Sequence, residues 1–353
     1  MNYELNKLYP LKFRPILKQK LWGGDKIQNI YRHNEPKLSQ VGESWDVSAM
    51  EDDDCEVING WLEGNTLADL VEVYMGDLVG DRVYEQYGAE FPLLLKIIDA
   101  NRDLSIQVHP NDELAEEEHG LNGKTEMWYV LDAEDDAHII LGFNRYVSKA
   151  EYVERLATGN LEEVLQKYPV RKGDVYFIPA GMVHSIGKGC LIMEVQQASD
   201  ITYRIYDYNR LDLDGHPRAL HTDLAAQALD FKVYKEYRNT YAEAIDAANP
   251  CLDTEHFSVR VVNIQNAIRR NMVNYDSFVI NTCLHGCCKI RIRSTHDEVE
   301  LREGHSCLIP AAIADYDILP TTPEAQLLES YINNKSQSTL QRLISQFLHF
   351  SSR

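Results

Sequence analysis

The sequence predicts an all-β-dominated protein built from two jelly-roll β-barrels with a small helical insertion, and three observations carry that prediction. From Val170 onward the chain runs as short strands broken by glycine-containing turns: VYFIP, CLIMEV, SVRVV, SFVIN, KIRIR and LLESYI. An internal repeat pairs GDVYFIPA (173–180) with GHSCLIPA (304–311), each glycine followed at the same interval by Ile-Pro-Ala. Upstream of each copy, MWYVLDAEDDAHIIL and SFVINTCLHGCCKIRI read as strand, tight turn and strand. Short strands with Gly at turns and Pro at strand ends suit a jelly roll, in which closure or sheet stacking manages the exposed edges.

Taken in order, residues 9–50 place Pro10, Pro15, Gly23, Gly24 and Pro36 between short apolar runs, as strands and loops require. Residues 66–87 set Leu67, Leu70, Val71, Tyr74, Leu78 and Val79 at helical spacings, with a break expected at Gly76 or Gly80. The run 91–98 is apolar apart from Lys96 and reads as a buried strand. The acidic segment 112–123 is a surface helix or loop before a strand over 126–131. In 148–168, Ser148 with Glu151 three residues on forms a capping box ahead of Val153, Leu156, Leu161, Val164 and Leu165, a small helical module. The tail 338–350 spaces Leu340, Leu343, Ile344, Phe347 and Leu348 as an apolar helix face. The expected division is a first barrel over 1–235, with helical insertions at about 66–87 and 112–168, a second barrel over 236–335 and a helical tail over 336–353.

Composition narrows the function. The 353 residues, 44% hydrophobic, are enough to bury a sizeable core. The net charge of −20 repels polyanions, so nucleic acid and anionic membranes are poor partners. A small phosphorylated ligand stays possible only where a local Arg/Lys cluster overcomes that field. No apolar run reaches the ~20 residues of a membrane span, and the opening MNYELNKLYPLKF has no apolar signal core, so a cytoplasmic location is expected. Seven irregularly spaced cysteines fit reduced thiols better than a disulfide framework.

The chemistry concentrates in the first copy. Gly173, Pro179, Gly181 and His184 match G-x5-P-x-G-x2-H, the second signature of cupin barrels, so the repeat reads as a bicupin. The glycines allow tight turns, the proline ends the ladder, and His184 starts the next strand pointing inward. In SIQVHPND, Gln107 and His109 are two apart and share one strand face, which Ser105 continues. Glu126 opens the strand after the acidic segment. Two histidines, one carboxylate and one amide, without thiolate, suit Zn²⁺ or another first-row divalent ion. In the second copy Asp315 stands where a second His184 would be, so that barrel is expected to hold no metal. The rival cluster Cys283, His285, Cys287 and Cys288 lacks a distant second ligand pair and reads as buried or turn thiols.

With GESWD (42–46), LSIQVHPND (104–112), GKTEMWYVL (123–131), IPAGMVHSI (178–186) and ASDITYRIYDYNR (198–210), the chain resembles the type I mannose-6-phosphate isomerases in their short bacterial form. The likeness is specific over 9–210. It implies interconversion of mannose 6-phosphate and fructose 6-phosphate through a cis-enediol, with one Zn²⁺ per chain on Gln107, His109, Glu126 and His184. It further implies a sugar-phosphate pocket lined by Ser105, Lys124, Glu194, Asp200, Arg204 and Arg210. Within that set, Arg204 is expected to stabilise the enediolate, with Asp200 orienting it or shuttling protons. Glu194 is a base candidate, Lys124 a proton donor, and Arg210 with Lys124 and Ser105 would hold phosphate. Monomer and homodimer both remain open. The competing readings are a metal-dependent cupin oxygenase and a non-catalytic sugar-phosphate-binding bicupin.

Overall fold

The computed structural model describes residues 7–333, so the helix expected over 338–350 lies outside the described residues. The described chain is strand-dominated, with 42% strand and 18% helix. In the first half the strands are β1 (Ile16–Gly24), β2 (Val41–Val47), β3 (Leu93–Asp99), β4 (Ile106–Val108), β5 (Glu126–Ala133), β6 (His138–Phe143), β7 (Leu165–Pro169), β8 (Val175–Ile178), β9 (His184–Ile186), β10 (Cys190–Gln197), β11 (Tyr203–Tyr206) and β12 (Arg238–Asn239). They form a seven-stranded sheet, β1-β2-β3-β10-β5-β8-β12, and a five-stranded sheet, β11-β4-β9-β6-β7. The second half contributes β13 (Ala247–Asp253), β14 (Ser258–Ile264), β15 (Ile268–Asn271), β16 (Val279–Ile292), β17 (Glu298–Arg302), β18 (Ser306–Ile309) and β19 (Asp315–Tyr331) to a third sheet. Each sheet is open, its first and last strands unpaired with one another.

The internal repeat extends to the strand pairings. In the first half β8 lies on β5, β9 on β6, β10 on β5 and β3 on β10. In the second half β18 lies on the start of β16, the start of β19 on the end of β16, the end of β19 on the start of β16, and β14 on the end of β19. The flanking pairs correspond as well: β7 on β6 matches β17 on β16, and β4 on β9 matches β15 on β19. Both Ile-Pro-Ala motifs end a strand at the isoleucine, and His184 and Asp315 each open the next one.

The halves differ where strands are interrupted. β5 and β6 belong to different sheets, whereas β16 runs unbroken, kinked by bulges between Cys283 and Cys288. The hairpin expected in SFVINTCLHGCCKIRI is therefore a single bent strand, with Gly286 at φ +71° absorbing the bulge.

Helices α1 (Leu67–Val79) and α2 (Asp81–Tyr87) are separated at Gly80, and α1 is itself kinked at Met75 (φ +46°), beside Gly76, so the run breaks at both glycines where a break was expected. Asn111 caps α3 (Asp112–His119) by accepting from the Leu114 amide. Ser148 caps α4 (Lys149–Thr158) through a 3.1 Å bond from the Glu151 amide. This module is shorter than the sequence implied. Gly159 ends α4 in the left-handed conformation, and after a short 3₁₀ turn the chain becomes β7 against β6. One apolar core joins the halves, with Phe91 and Phe278 at 4.6 Å between ring centroids and Leu11 bridged to Leu308. No helix among the described residues is long and apolar enough to cross a membrane.

Candidate active site

Strand register assembles the site. β4 lies between β9 and β11, and Gln107 is the direct partner of both His184 and Arg204. In the other sheet, register lines up Trp45, Lys96, Glu194 and Trp128 across β2, β3, β10 and β5. From this row Lys96, Glu194 and Trp128, and from β4 Gln107, line a cleft of about 230 Å³ together with Ser105, Lys124, Glu126, Asp200 and Arg204, among others. The lining set thus contains every expected pocket residue except Arg210.

At the cleft floor His109 Nε2 lies 3.1 Å from Glu126 Oε1, and His184 Nε2 lies 3.8 Å from Glu126 Oε2. All three residues are about 1% exposed. The Gln107 side-chain nitrogen is 3.2 Å from His184 Nε2, and Ser105 Oγ donates to Gln107 Oε1 at 3.2 Å. The tautomers follow from the far side of each ring. His109 Nδ1 donates to the Ile201 carbonyl and His184 Nδ1 to the Met182 carbonyl, both at 2.8 Å. Each Nε2 is therefore left as a lone pair aimed at the carboxylate.

Electrostatics reinforces this. Burial, with Lys124 nearby, pushes His109 down to about 3, and burial lowers His184. Burial alone would raise Glu126, but the carboxyl is held well below its usual range, with the Lys124 ammonium 3.3 Å away as its charged partner. Neutral imidazoles beside an ionised carboxylate are the protonation states a metal requires. Two of the converging atoms, His109 Nε2 and Glu126 Oε2, are buried with no hydrogen-bond partner. Orphaned buried acceptors are costly, and a cation between them removes that cost. Among the described residues this is the group whose His, Cys, Asp and Glu donor atoms converge within 4.8 Å. The rival thiol cluster does not converge on a metal: Cys283 and Cys288 are buried and His285 turns to Glu303 at 3.3 Å.

Above the floor, Lys124 Nζ is 3.3 Å from Glu126 Oε1. Glu194 is held by Lys96 Nζ at 3.0 Å and by Trp128 Nε1, which donates at 2.8 Å. Burial and the neighbouring Glu126 charge push Glu194 up to about 7. Asp200 is exposed at the cleft edge. Arg204 donates through Nη1 to the Ala219 carbonyl at 2.9 Å, while its buried Nε has no partner.

Arg210 departs from the sequence expectation. Its Nη2 lies 2.5 Å from Asp207, its Nη1 donates to the Asp103 carbonyl, and its guanidinium stacks 4.9 Å over Tyr208. Those contacts keep it off the cleft wall. Arg218, which the sequence reading did not single out, is on that wall together with His221, Lys20, Glu43 and Lys96. Lys96 did leave a signal, as the lone charge in an otherwise apolar strand. Arg218 left none, because nothing in PRALH distinguishes it from a surface arginine.

Comparison with known proteins adds an independent line. A family model described as "Phosphomannose isomerase type I, catalytic domain" matches residues 10–140. Mannose-6-phosphate isomerase ManA of Bacillus subtilis is 34% identical over 315 residues, covering 88% of this chain and 95% of the relative. The mannose-6-phosphate isomerase of Streptococcus mutans is 40% identical over 220 residues, 62% of this chain and 67% of the relative. A crystal structure of the Bacillus subtilis mannose 6-phosphate isomerase superposes with a TM-score of 0.82 at 32% identity, covering 92% of this chain and 99% of that one.

Proposed function

The chain belongs to the type I phosphomannose isomerases, and from that premise we propose that its cleft interconverts mannose 6-phosphate and fructose 6-phosphate through a cis-enediol with one zinc ion per chain. The observation that carries this reading is the juxtaposition, in one cleft, of the orphaned His109 and Glu126 atoms with Lys124, Glu194 and Arg204. His109, Glu126 and His184 would hold the metal, because N and O donors without thiolate suit zinc, and Gln107 would join as a fourth ligand once its amide turns to present Oε1 in place of the nitrogen that faces His184. When bound, the ion supplies Lewis acidity that polarises or orders the sugar oxygens.

The remaining chemistry is assigned to the chain's own side chains. Glu194 removes the C2 proton of the open-chain aldose, the C–H electrons form the C1–C2 double bond, and O1 receives a proton from Lys124. Lys124 then takes back a proton from O2 as the C2–O2 double bond forms, and Glu194 returns its proton to C1, so both side chains are restored and C1 is reduced as C2 is oxidised. A carboxyl raised to about 7 by burial exists in both required forms near neutrality. Arg204, paired in register with Gln107, sits where a cation stabilises negative charge on the enediolate. Asp200, at the cleft edge, orients the hydroxyls. The repeated strand pairing and the cupin signature support a bicupin, 1–235 and 236–335, whose second copy keeps no ligand set.

Purified protein supplied with zinc should convert mannose 6-phosphate to fructose 6-phosphate in a coupled assay. His184→Ala should lose both zinc and turnover, and Arg204→Ala turnover alone. A zinc-loaded wild type without turnover refutes the proposal.

A further inference from the structure

The hairpin following β11 presents a second arginine to the cleft in a form built to take an anion. Leu211 and Pro217 bridge across this hairpin, and its return arm, residues 218–221, wraps Arg204. Ala219 supplies the carbonyl that Arg204 Nη1 donates to, and His221 Nδ1 accepts from the Arg204 amide at 3.2 Å. Because His221 Nδ1 is the acceptor, its Nε2 carries the proton and is a donor. Burial, then Arg204, lowers His221, which keeps it in that neutral tautomer.

Arg218 is fixed from behind. Its Nε and Nη2 meet the two oxygens of Asp207 at 2.8 and 2.6 Å, while Asp207 also takes Arg210 at 2.5 Å. A guanidinium has five N–H donors and this fork uses only one edge, so the Nη1 edge remains for a ligand. Arg204 and Arg218 are close enough to repel: after burial, Arg218 is the main influence lowering Arg204. Asp207 is already shared between two arginines, and the buried Arg204 Nε has no partner.

Resting on the isomerase reading, we propose that Arg218, positioned by Asp207 and assisted by His221, is the phosphate-recognition residue of this cleft. Arg210 is a positioning residue that braces Asp207. The substrate therefore lies with its reacting carbons at Glu194 and its phosphate under the hairpin, and Arg218 sets the preference for phosphorylated over free sugar.

The test measures KM and kcat for mannose 6-phosphate, selectivity over free mannose, and inhibition by inorganic phosphate, in zinc-loaded wild type, Arg218→Gln, Arg218→Lys and Asp207→Asn. Loss of a charge-assisted fork should raise KM and the phosphate inhibition constant together by about 10- to 100-fold in Arg218→Gln, with bound zinc unchanged and selectivity reduced in step. Arg218→Lys should be intermediate, since lysine retains charge without the planar fork. Asp207→Asn should raise KM more than it lowers kcat. If the variants do not fold, wild type decides: inorganic phosphate should protect Arg218, and not Arg210, from phenylglyoxal, read by peptide mass mapping. Unchanged KM and phosphate inhibition in Arg218→Gln, or no protection of Arg218, overturns the proposal. A wild type inactive on mannose 6-phosphate overturns instead the isomerase reading.

Discussion

Lys96→Met tests the electrostatics of the cleft most directly. Lys96 and Glu194 are paired at 3.0 Å with side chains 5% and 3% exposed, and burial is already pushing Glu194 up to about 7 with the lysine present. Methionine keeps the stem's volume and removes the cation that holds this carboxyl down, so Glu194 should rise further. If the carboxylate had to remain ionised, breaking such a buried pair would cost roughly 3–5 kcal/mol. It has an escape, which is to bind a proton. The sign follows from linkage. Between the wild-type value and the higher variant value, folded Lys96→Met holds a proton that folded wild type does not, while both unfolded chains are ionised at this carboxyl. The variant's stability relative to wild type therefore falls as pH rises through that window, by up to about 1.4 kcal/mol per pH unit. Urea unfolding at about pH 6 and about pH 9 should show a small deficit at the lower pH and one larger by at least about 1 kcal/mol at the higher. The acid limb of the kcat/KM profile should move to higher pH in parallel. A stability deficit independent of pH, with an unmoved acid limb, would refute both the assigned coupling and Glu194 as the base.

Further outcomes are expected elsewhere. Asp46→Ala strands the buried Arg32 guanidinium, which now meets both Asp46 oxygens at 2.7 and 2.6 Å, and should cost roughly 3–5 kcal/mol in chemical denaturation. Gly181→Ala puts a Cβ at φ +86° and 3.0 Å from the Ala228 carbonyl; it should lower stability by about 1–3 kcal/mol and weaken zinc retention, because Gly181 leads into His184. Glu126→Gln removes the negative charge between two neutral imidazoles and should abolish stoichiometric zinc in metal analysis, with the far-ultraviolet circular dichroism retained. Asp315→Ala, by contrast, removes a solvent-screened pair to Arg269 at 2.7 Å and should leave the urea unfolding midpoint nearly unchanged, with no change in zinc.

What could be read from the sequence tracks what is local. The cupin spacing puts His184 at a strand start and period-two alternation groups Gln107 with His109, although β4 ends at Val108 and His109 lies one residue beyond it; these parts of the candidate metal floor were local, whereas Glu126 reaches it from the other sheet. The Ser148 cap was equally local, since its partner is three residues away. The misreadings arose where register or sheet membership decides. MWYVLDAEDDAHIIL and SFVINTCLHGCCKIRI share one pattern, yet the first splits between two sheets and the second is a single bulged strand. Leu165 fits a helical period, but Gly159 ends the helix and β6 supplies a free edge for 165–169. Arg210 and Arg218 are indistinguishable in sequence; Asp207 holds both, but the Asp103 carbonyl and the Tyr208 ring also engage Arg210, while Arg218 keeps its Nη1 edge open.

The same comparison explains why two copies of one pairing scheme yield one candidate metal floor. A cleft needs strands that stop, so that side chains at their ends converge without a continuing ladder beside them. In the first copy β4 and β9 are three residues long, and β9 yields to β10 across a glycine-bounded turn at 187–189. His184 therefore opens a short strand and meets Gln107 and Glu126 beyond the end of β8. In the second copy Asp315 opens a strand of 17 residues that stays paired with β16 from Ile292 back to Val279, interrupted only by bulges. Its carboxylate is taken by Arg269 and Arg293. Restoring a histidine at 315 would thus not restore a site, because the neighbouring surface there is a continuous ladder faced by cations. Ligand identity and strand interruption separate the two copies together, and a graft that changes only the first should bind no zinc.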